Sequence, residues 1–347
     1  MILKAEVTPR VHMEKHVPLG QVAPLSQPFV VALDPSSACN FRCKFCPTGD
    51  HGLIHSTGRY QGIMDLRVYQ KVIDDLVEFD APIKTLRLYK NGEPLVHPRF
   101  AEMVAYARQS GHVLRIDTTT NGALLTPELS HDIVDAGIDQ INISVNGMSS
   151  EQMEFYTRTA VDFGQYVEQL RELFRYAKAV EERNGHHCEI FIKSIEEILS
   201  EEERQRFFDT FGEISDRIVL EHISPAWPTF RFSVDVPMKF HAGNYGQDAY
   251  ERKVCPYLFY ILVVNADGTC STCIGDWPNG QIVGDVRKTS VRAIWNGEKL
   301  RQYQKLHLQG RRKEIPFCGA CEVVTYGTLD DMDADAEEIL KRMEAEK

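Results

Sequence analysis

Six short apolar runs, each separated from the next by an amphipathic stretch, constrain this chain more than any other feature of its sequence. The runs are 29–34 (FVVALD), 84–89 (KTLRLY), 112–118 (HVLRIDT), 140–145 (QINISV), 188–194 (CEIFIKS) and 217–222 (RIVLEH). Segments 65–79, 98–110, 127–136, 163–183 and 200–211 lie between them and carry apolar residues at helical spacing. Gly111, Gly137 and Gly185 fall just past three of these segments, where helices commonly stop. Strand–helix alternation of this kind predicts an α/β fold with a parallel sheet and right-handed crossovers. A doubly wound open sheet and an incomplete (β/α) barrel both satisfy it. In either, chemistry belongs at the C-terminal ends of the strands.

The pattern changes after Ser224. Residues 258–265 and 269–274 read as a β-hairpin turning at Asp267-Gly268, a helix is predicted over 291–307, and a CxxC follows at Cys318 and Cys321. The expected organisation is an N-terminal extension (1–28), an α/β domain (29–235), a small hairpin-and-helix domain (236–329) and an acidic tail (330–347) read as a solvated helix. A formal charge of −11 argues against a nucleic-acid surface, which needs clustered Lys and Arg. No run of 18 apolar residues exists and the first residues lack a signal-like apolar stretch, so no membrane span and a cytoplasmic location are expected. In that compartment structural disulfides are disfavoured, and the nine cysteines are read as ligands or core residues.

Eight of the nine cysteines fall into two groups. The first, Cys39-Asn-Phe-Arg-Cys43-Lys-Phe45-Cys46, is a CxxxCxxC directly after the first strand. Three thiolates on one short loop hold three corners of a 4Fe–4S cube and leave one iron open to an external molecule. Zinc is the alternative, although its sites usually pair two ligands with a second pair elsewhere.

With an aromatic, Phe45, before its third cysteine, this trio resembles the signature of the radical S-adenosylmethionine (AdoMet) superfamily. The resemblance implies a partial (β/α)6 barrel. AdoMet would chelate the open iron and, given one electron, yield a 5′-deoxyadenosyl radical that abstracts hydrogen from substrate. A flavodoxin- or ferredoxin-like protein would supply that electron. Asn91-Gly92-Glu93-Pro94 is similar to the family's GGEP, whose backbone and Glu receive the methionyl ammonium; Asn91 replaces the first glycine. Thr120-Asn121-Gly122 resembles a cofactor-lining segment, Ser144 matches a ribose-contacting position, and Arg158 stands where related enzymes pair an Arg with the AdoMet carboxylate.

The second group is Cys255, Cys270, Cys273, Cys318 and Cys321. By spacing alone, two CxxC pairs (270/273 and 318/321) suit zinc, whereas a second iron–sulfur cluster would take four of the five. The surrounding Cys255-Pro-Tyr-Leu-Phe, Asp267-Gly268, Cys273-Ile-Gly-Asp276-Trp277 and Ile294-Trp295-Asn296 resemble the SPASM domain, more narrowly its shortened twitch form with one auxiliary 4Fe–4S cluster. That resemblance implies Cys255, Cys273, Cys318 and Cys321 as ligands, with Cys270 a bystander. Cys188 reads as a core residue.

Two clusters suggest an oxidation. A substrate radical that loses a proton and an electron becomes a carbonyl or alkene, and a fully ligated auxiliary cluster can take the electron. Glu221 is the candidate base, with His222 and Lys193 as alternatives. The run Arg87-Leu-Tyr-Lys-Asn-Gly-Glu-Pro and the segment from Glu221 to Trp227 look similar to SPASM proteins of polysaccharide biosynthesis, which implies a small-molecule substrate of sugar, aminocyclitol or nucleotide-sugar type. Dehydrogenation is the expected reaction. Epimerisation is the alternative and would need a hydrogen donor, for which Cys188 and Cys270 are the spare thiols. A peptide-modifying enzyme and a zinc-stabilised binding protein are the remaining readings.

Overall fold

The computed structural model describes residues 5–9, 17–225, 227–238, 241–244, 246–328 and 330–345. Parts of the N-terminal extension, Ala226 in the segment from Glu221 to Trp227, and the last two residues of the tail lie outside that set. Ten strands form one sheet: β1 (Glu6–Val7), β2 (Val30–Leu33), β3 (Ile83–Leu88), β4 (Val113–Thr120), β5 (Gln140–Val145), β6 (Glu189–Ile195), β7 (Arg217–Glu221), β8 (Ile261–Val264), β9 (Thr269–Ser271) and β10 (Ile282–Asp285). Their order is β1-β7-β6-β5-β4-β3-β2-β8-β9-β10. Neighbours from β1 to β8 pair in parallel, while β8, β9 and β10 pair antiparallel.

All four residues of β2 are buried, as expected of a central parallel strand covered on both faces. The intervening helices are Leu66–Asp75, Phe100–Ser110, Pro127–Asp135, Phe163–Asn184 and Glu201–Phe211, each close to its expected span. Local chemistry sets their ends. Ser200 and Glu203 make a reciprocal capping box, and Gly111 (φ 71°) and Gly185 (φ 80°) take the left-handed conformation that closes a helix. The resulting right-handed repeat is the partial (β/α) barrel, and its strand ends carry the loops discussed below.

The C-terminal region departs from expectation in three ways. The hairpin is real, with Gly268 at φ 86°, but its first strand joins the main sheet by pairing β8 with β2 in register from Val30 and Ile261 onward. The helix predicted over 291–307 breaks at Asn296-Gly297 into Val291–Trp295 and Glu298–Leu308. The acidic tail is not merely solvated. Its helix, Ala336–Ala345, is amphipathic and buries Ile339 and Met343 against Leu19, Ala23, Leu258 and Phe259. Arg342 bonds the carbonyls of Gly20 and Gln21, and Asp333 accepts the backbone N–H of Lys253 and Val254, just before Cys255. Charge count misses this because the apolar stripe occupies only two turns of the helix. No helix among the described residues is long and apolar enough to cross a membrane.

Since Ile339 is fully buried, Ile339→Ala should cost about 2–5 kcal/mol, the range for truncating a core aliphatic. A denaturation midpoint equal to that of the parent would place the tail helix outside the cooperative fold.

Candidate active site and thiol centres

The first cysteine loop leaves β2 and is held from two sides. Arg42 and Lys44 donate their backbone N–H to the carbonyls of Thr157 and Tyr156, at the end of helix Ser150–Thr157. Buried Phe41 anchors the loop. Two glycines allow close approach: a Cβ on Gly49 would lie 2.3 Å from the Cys43 carbonyl, and one on Gly92 would lie 2.2 Å from that of Ala38. Only a glycine at 92 lets the backbone of Glu93 bond that same carbonyl at 2.9 Å.

Cys39, Cys43, Cys46, Phe45, Asn91, Gly92, Glu93, Asn121, Ser144 and Glu221 all line one open cavity of about 340 Å3 at the C-terminal ends of the strands. Arg158 is not on the cavity wall. It is exposed, with φ 53° at the end of its helix, and its guanidinium bonds Ser233 Oγ at 2.7 Å. Ser233 in turn bonds the Lys44 carbonyl, so Arg158 clamps the outside of the cysteine loop.

Glu93 joins two strand ends. Its carboxylate accepts the Leu95 N–H (3.1 Å), the Thr120 hydroxyl (2.7 Å) and the Asn121 N–H (2.8 Å). A carboxylate has about four acceptor positions, so one remains. Burial pushes its pKa up to about 7 against the pull of these donors. Asn121 reaches the other way, donating to Asn40 Oδ1 at 2.8 Å beside Cys39.

On the opposite wall Lys193 and Glu221 form an ion pair at 2.5 Å, both side chains partly buried. His222 is drawn aside by Glu197 (2.9 Å) and Glu196 (3.2 Å). Trp227 and Phe232 add aromatic surface, and Asn146, Ser224 and Asn244 add amides and a hydroxyl.

The second thiol centre is an enclosed, apolar cavity lined by Cys255, Cys273, Cys318 and Cys321. Cys255 is raised well above the ordinary thiol range by burial and by the nearness of Cys321, Cys273 and Cys318. Cys270 points elsewhere. It is fully buried in the main core and does not line this cavity; burial first, then Asp285 and Asp267, raises its thiol above the ordinary range. Cys188 is likewise a core residue. Burial also raises the trio, Cys39 to about 12, and ligation to a cationic group would favour their ionised form. Four thiols lining the second cavity suit a 4Fe–4S cluster with a ligand on each iron, and the three of the first suit one with an open iron.

A buried polar bridge, which the sequence did not announce, joins the two centres. Lys90 Nζ donates to Asn265 Oδ1 (2.6 Å), the Asp276 carbonyl (3.0 Å) and Asn279 Oδ1 (2.5 Å). Arg59 bonds the Trp277 carbonyl at 3.0 Å and Thr48 Oγ1 at 3.1 Å, and Thr48 bonds the Asn91 carbonyl. The only hint in the sequence was position: Lys90 immediately precedes the NGEP turn.

Fold and site together describe an α/β protein built for AdoMet and iron–sulfur chemistry. Residues 33–192 match the Radical SAM superfamily, and residues 255–322 match SPASM, an iron–sulfur cluster-binding domain. The chain carries a radical SAM domain over residues 33–192 and a SPASM domain over residues 255–322; the first domain binds AdoMet and a 4Fe–4S cluster, the second auxiliary iron–sulfur clusters. A tungsten-containing aldehyde ferredoxin oxidoreductase cofactor-modifying protein of Pyrococcus furiosus is 30% identical over 43% of this chain and 39% of its own length. The chain spans little more than a third of the length of such curated relatives. The fold is shared with BtrN crystallised with AdoMet and 2-DOIA (TM-score 0.55, 18% identity, 88% of this chain and 96% of that one). It is also shared with Streptococcus suis SuiB bound to its precursor peptide SuiA (0.56, 11%, 82% and 68%).

Two outcomes are expected. Glu93 has a folded pKa near 7 against an ordinary 4.5, so its protonated form stabilises the fold below about pH 4.5, and that contribution disappears as pH rises through 7. The stability of metal-free parent relative to Glu93→Gln should therefore fall between pH 4.5 and 7.5 in urea titrations; a constant difference would contradict the burial argument. Reconstituted parent should hold roughly eight irons, Cys270→Ser should keep them, and Cys273→Ser should lose roughly four. Iron loss on replacing Cys270 would overturn the ligand set.

Proposed function

We propose that this enzyme dehydrogenates a small polyhydroxylated substrate of sugar, aminocyclitol or nucleotide-sugar type, with Cys255, Cys273, Cys318 and Cys321 holding one auxiliary cluster as electron acceptor. The observation that carries this reading is the cavity wall, where an ion pair of base and cation stands among amides, a hydroxyl and two aromatic faces, opposite the cysteine trio. Aromatic rings take the apolar faces of a sugar, and amides and hydroxyls take its hydroxyl groups.

Cys39, Cys43 and Cys46 would hold a cluster on which AdoMet, given one electron by a flavodoxin- or ferredoxin-like donor, would supply a hydrogen-abstracting radical. Glu93 would offer its remaining acceptor position to the methionyl ammonium, with Phe45, Asn91, Gly92, Asn121 and Ser144 lining the rest of the cofactor. Arg158 would act indirectly, by bracing the cysteine loop. Removal of a hydrogen atom from an H–C–OH centre leaves a ketyl-type radical. Glu221 would take its hydroxyl proton while Lys193 holds the carboxylate in place, and the remaining electron would pass to the auxiliary cluster, leaving a ketone.

Epimerisation would instead need a hydrogen donor facing the substrate. Cys188 and Cys270 are both core residues away from this cavity, which favours dehydrogenation.

Anaerobic incubation with candidate sugars and aminocyclitols should raise 5′-deoxyadenosine above background and give a product lighter by two hydrogens. A product of unchanged mass would mean epimerisation, and turnover of peptides alone would sink the sugar assignment. Glu221→Gln should lower kcat on the true substrate by roughly 100-fold or more, the scale of lost general-base catalysis, without changing AdoMet affinity.

A further inference from the structure

His307 lies at the end of helix Glu298–Leu308 and lines the four-cysteine cavity with no exposure to solvent. The Cys255 backbone N–H donates to its Nδ1 at 3.1 Å. Nδ1 is therefore the acceptor nitrogen, and in a neutral imidazole the proton must sit on Nε2. That Nε2 is buried and has no partner among the described residues. A buried N–H is unfavourable unless something accepts it.

Gln281 shows the same design with its partner visible. Thr272 donates its hydroxyl to Gln281 Oε1 at 2.8 Å, which fixes the amide so that Nε2 faces Cys318 Sγ at 3.2 Å. The carboxylate of buried Asp276 holds the backbone N–H of Gln281 at 2.9 Å. Two donors from outside the cysteine set thus serve one thiol centre, His307 from the cavity wall and Gln281 through Cys318.

We propose that His307 Nε2–H donates a hydrogen bond to a sulfur of the auxiliary cluster or its thiolates and, together with Gln281, raises the reduction potential of that cluster so that it accepts an electron. The missing acceptor of His307 is then the group the cavity holds. N–H donors to sulfur stabilise the more negative, reduced form, and outer-shell donors of this kind are a principal lever on iron–sulfur potentials. His307 is a positioning residue, and the proposal rests on the four-cysteine ligand set of the preceding reading.

Two replacements separate the faces of the ring. Asn places an acceptor near the Nδ1 position and removes the Nε2–H donor, whereas Gln reaches the Nε2 position and keeps a donor there. Both are made in the full chain with Cys39, Cys43 and Cys46 changed to Ala, so that only the auxiliary cluster is present. Redox titration followed by electron paramagnetic resonance needs no substrate, which keeps failure here distinct from failure of the dehydrogenase reading; a reconstituted chain without iron would fault the ligand set. His307→Asn should shift the midpoint to more negative potential, and His307→Gln should restore most of it. A midpoint unchanged in His307→Asn overturns the proposal. Pulsed resonance on the reduced cluster of otherwise unaltered protein labelled with 15N-histidine adds a readout free of substitution. One weakly coupled histidine nitrogen is expected, and its absence would likewise overturn the assignment.

Discussion

The buried ammonium of Lys90 is the interaction on which the arrangement of the two centres depends. It sits at the C-terminal end of β3, beside the turn that meets the cysteine trio, yet all three of its protons go to residues near the hairpin and the loop after Cys273. Taking an isolated ammonium out of water costs several kcal/mol, so it survives only with every proton satisfied. Asp34, fully buried and lifted to about 6 by that burial, and Arg59 complete a charge set that cannot be opened one member at a time. The loop carrying Cys273 is consequently pinned to the loop carrying Cys46. Separating the two thiol centres would strand charges in a low-dielectric interior, where the loss is largest.

That rigidity matters because the centres are costly in themselves. Burial drives the trio thiols and Cys255 away from the thiolate form that iron requires. Ligation by a cationic cluster reverses the balance, so cluster assembly and final packing are thermodynamically linked. The chain prepares for this with contacts that do not depend on metal. Helix Ser150–Thr157 holds the first loop, and Asp333 with the docked tail helix holds the approach to Cys255.

Much of this was legible in the sequence. The parallel strands and their helices follow from apolar period and glycine stops, and the trio announces itself by spacing. What escaped depends on contacts between elements distant along the chain. Strand β10 (IVGD) is short and half-exposed, with no alternation to mark it. The tail reads as solvated by charge, although Ile339 and Met343 form a docking stripe. Arg158 matched a position in a motif, but the left-handed end of its helix turns it outward to Ser233. Lys90, Gln281 and His307 carry no local signature, because each is defined by what a separate segment brings to it.

The central claim is that an electron leaving the substrate arrives at the second thiol centre. The direct test is a single turnover, with the first cluster given one electron per chain and the reaction frozen at successive times for electron paramagnetic resonance. The account predicts a reduced auxiliary-cluster signal that grows in step with 5′-deoxyadenosine and with oxidised product, in equal amounts. Formation of both products while the auxiliary cluster stays oxidised throughout would contradict it.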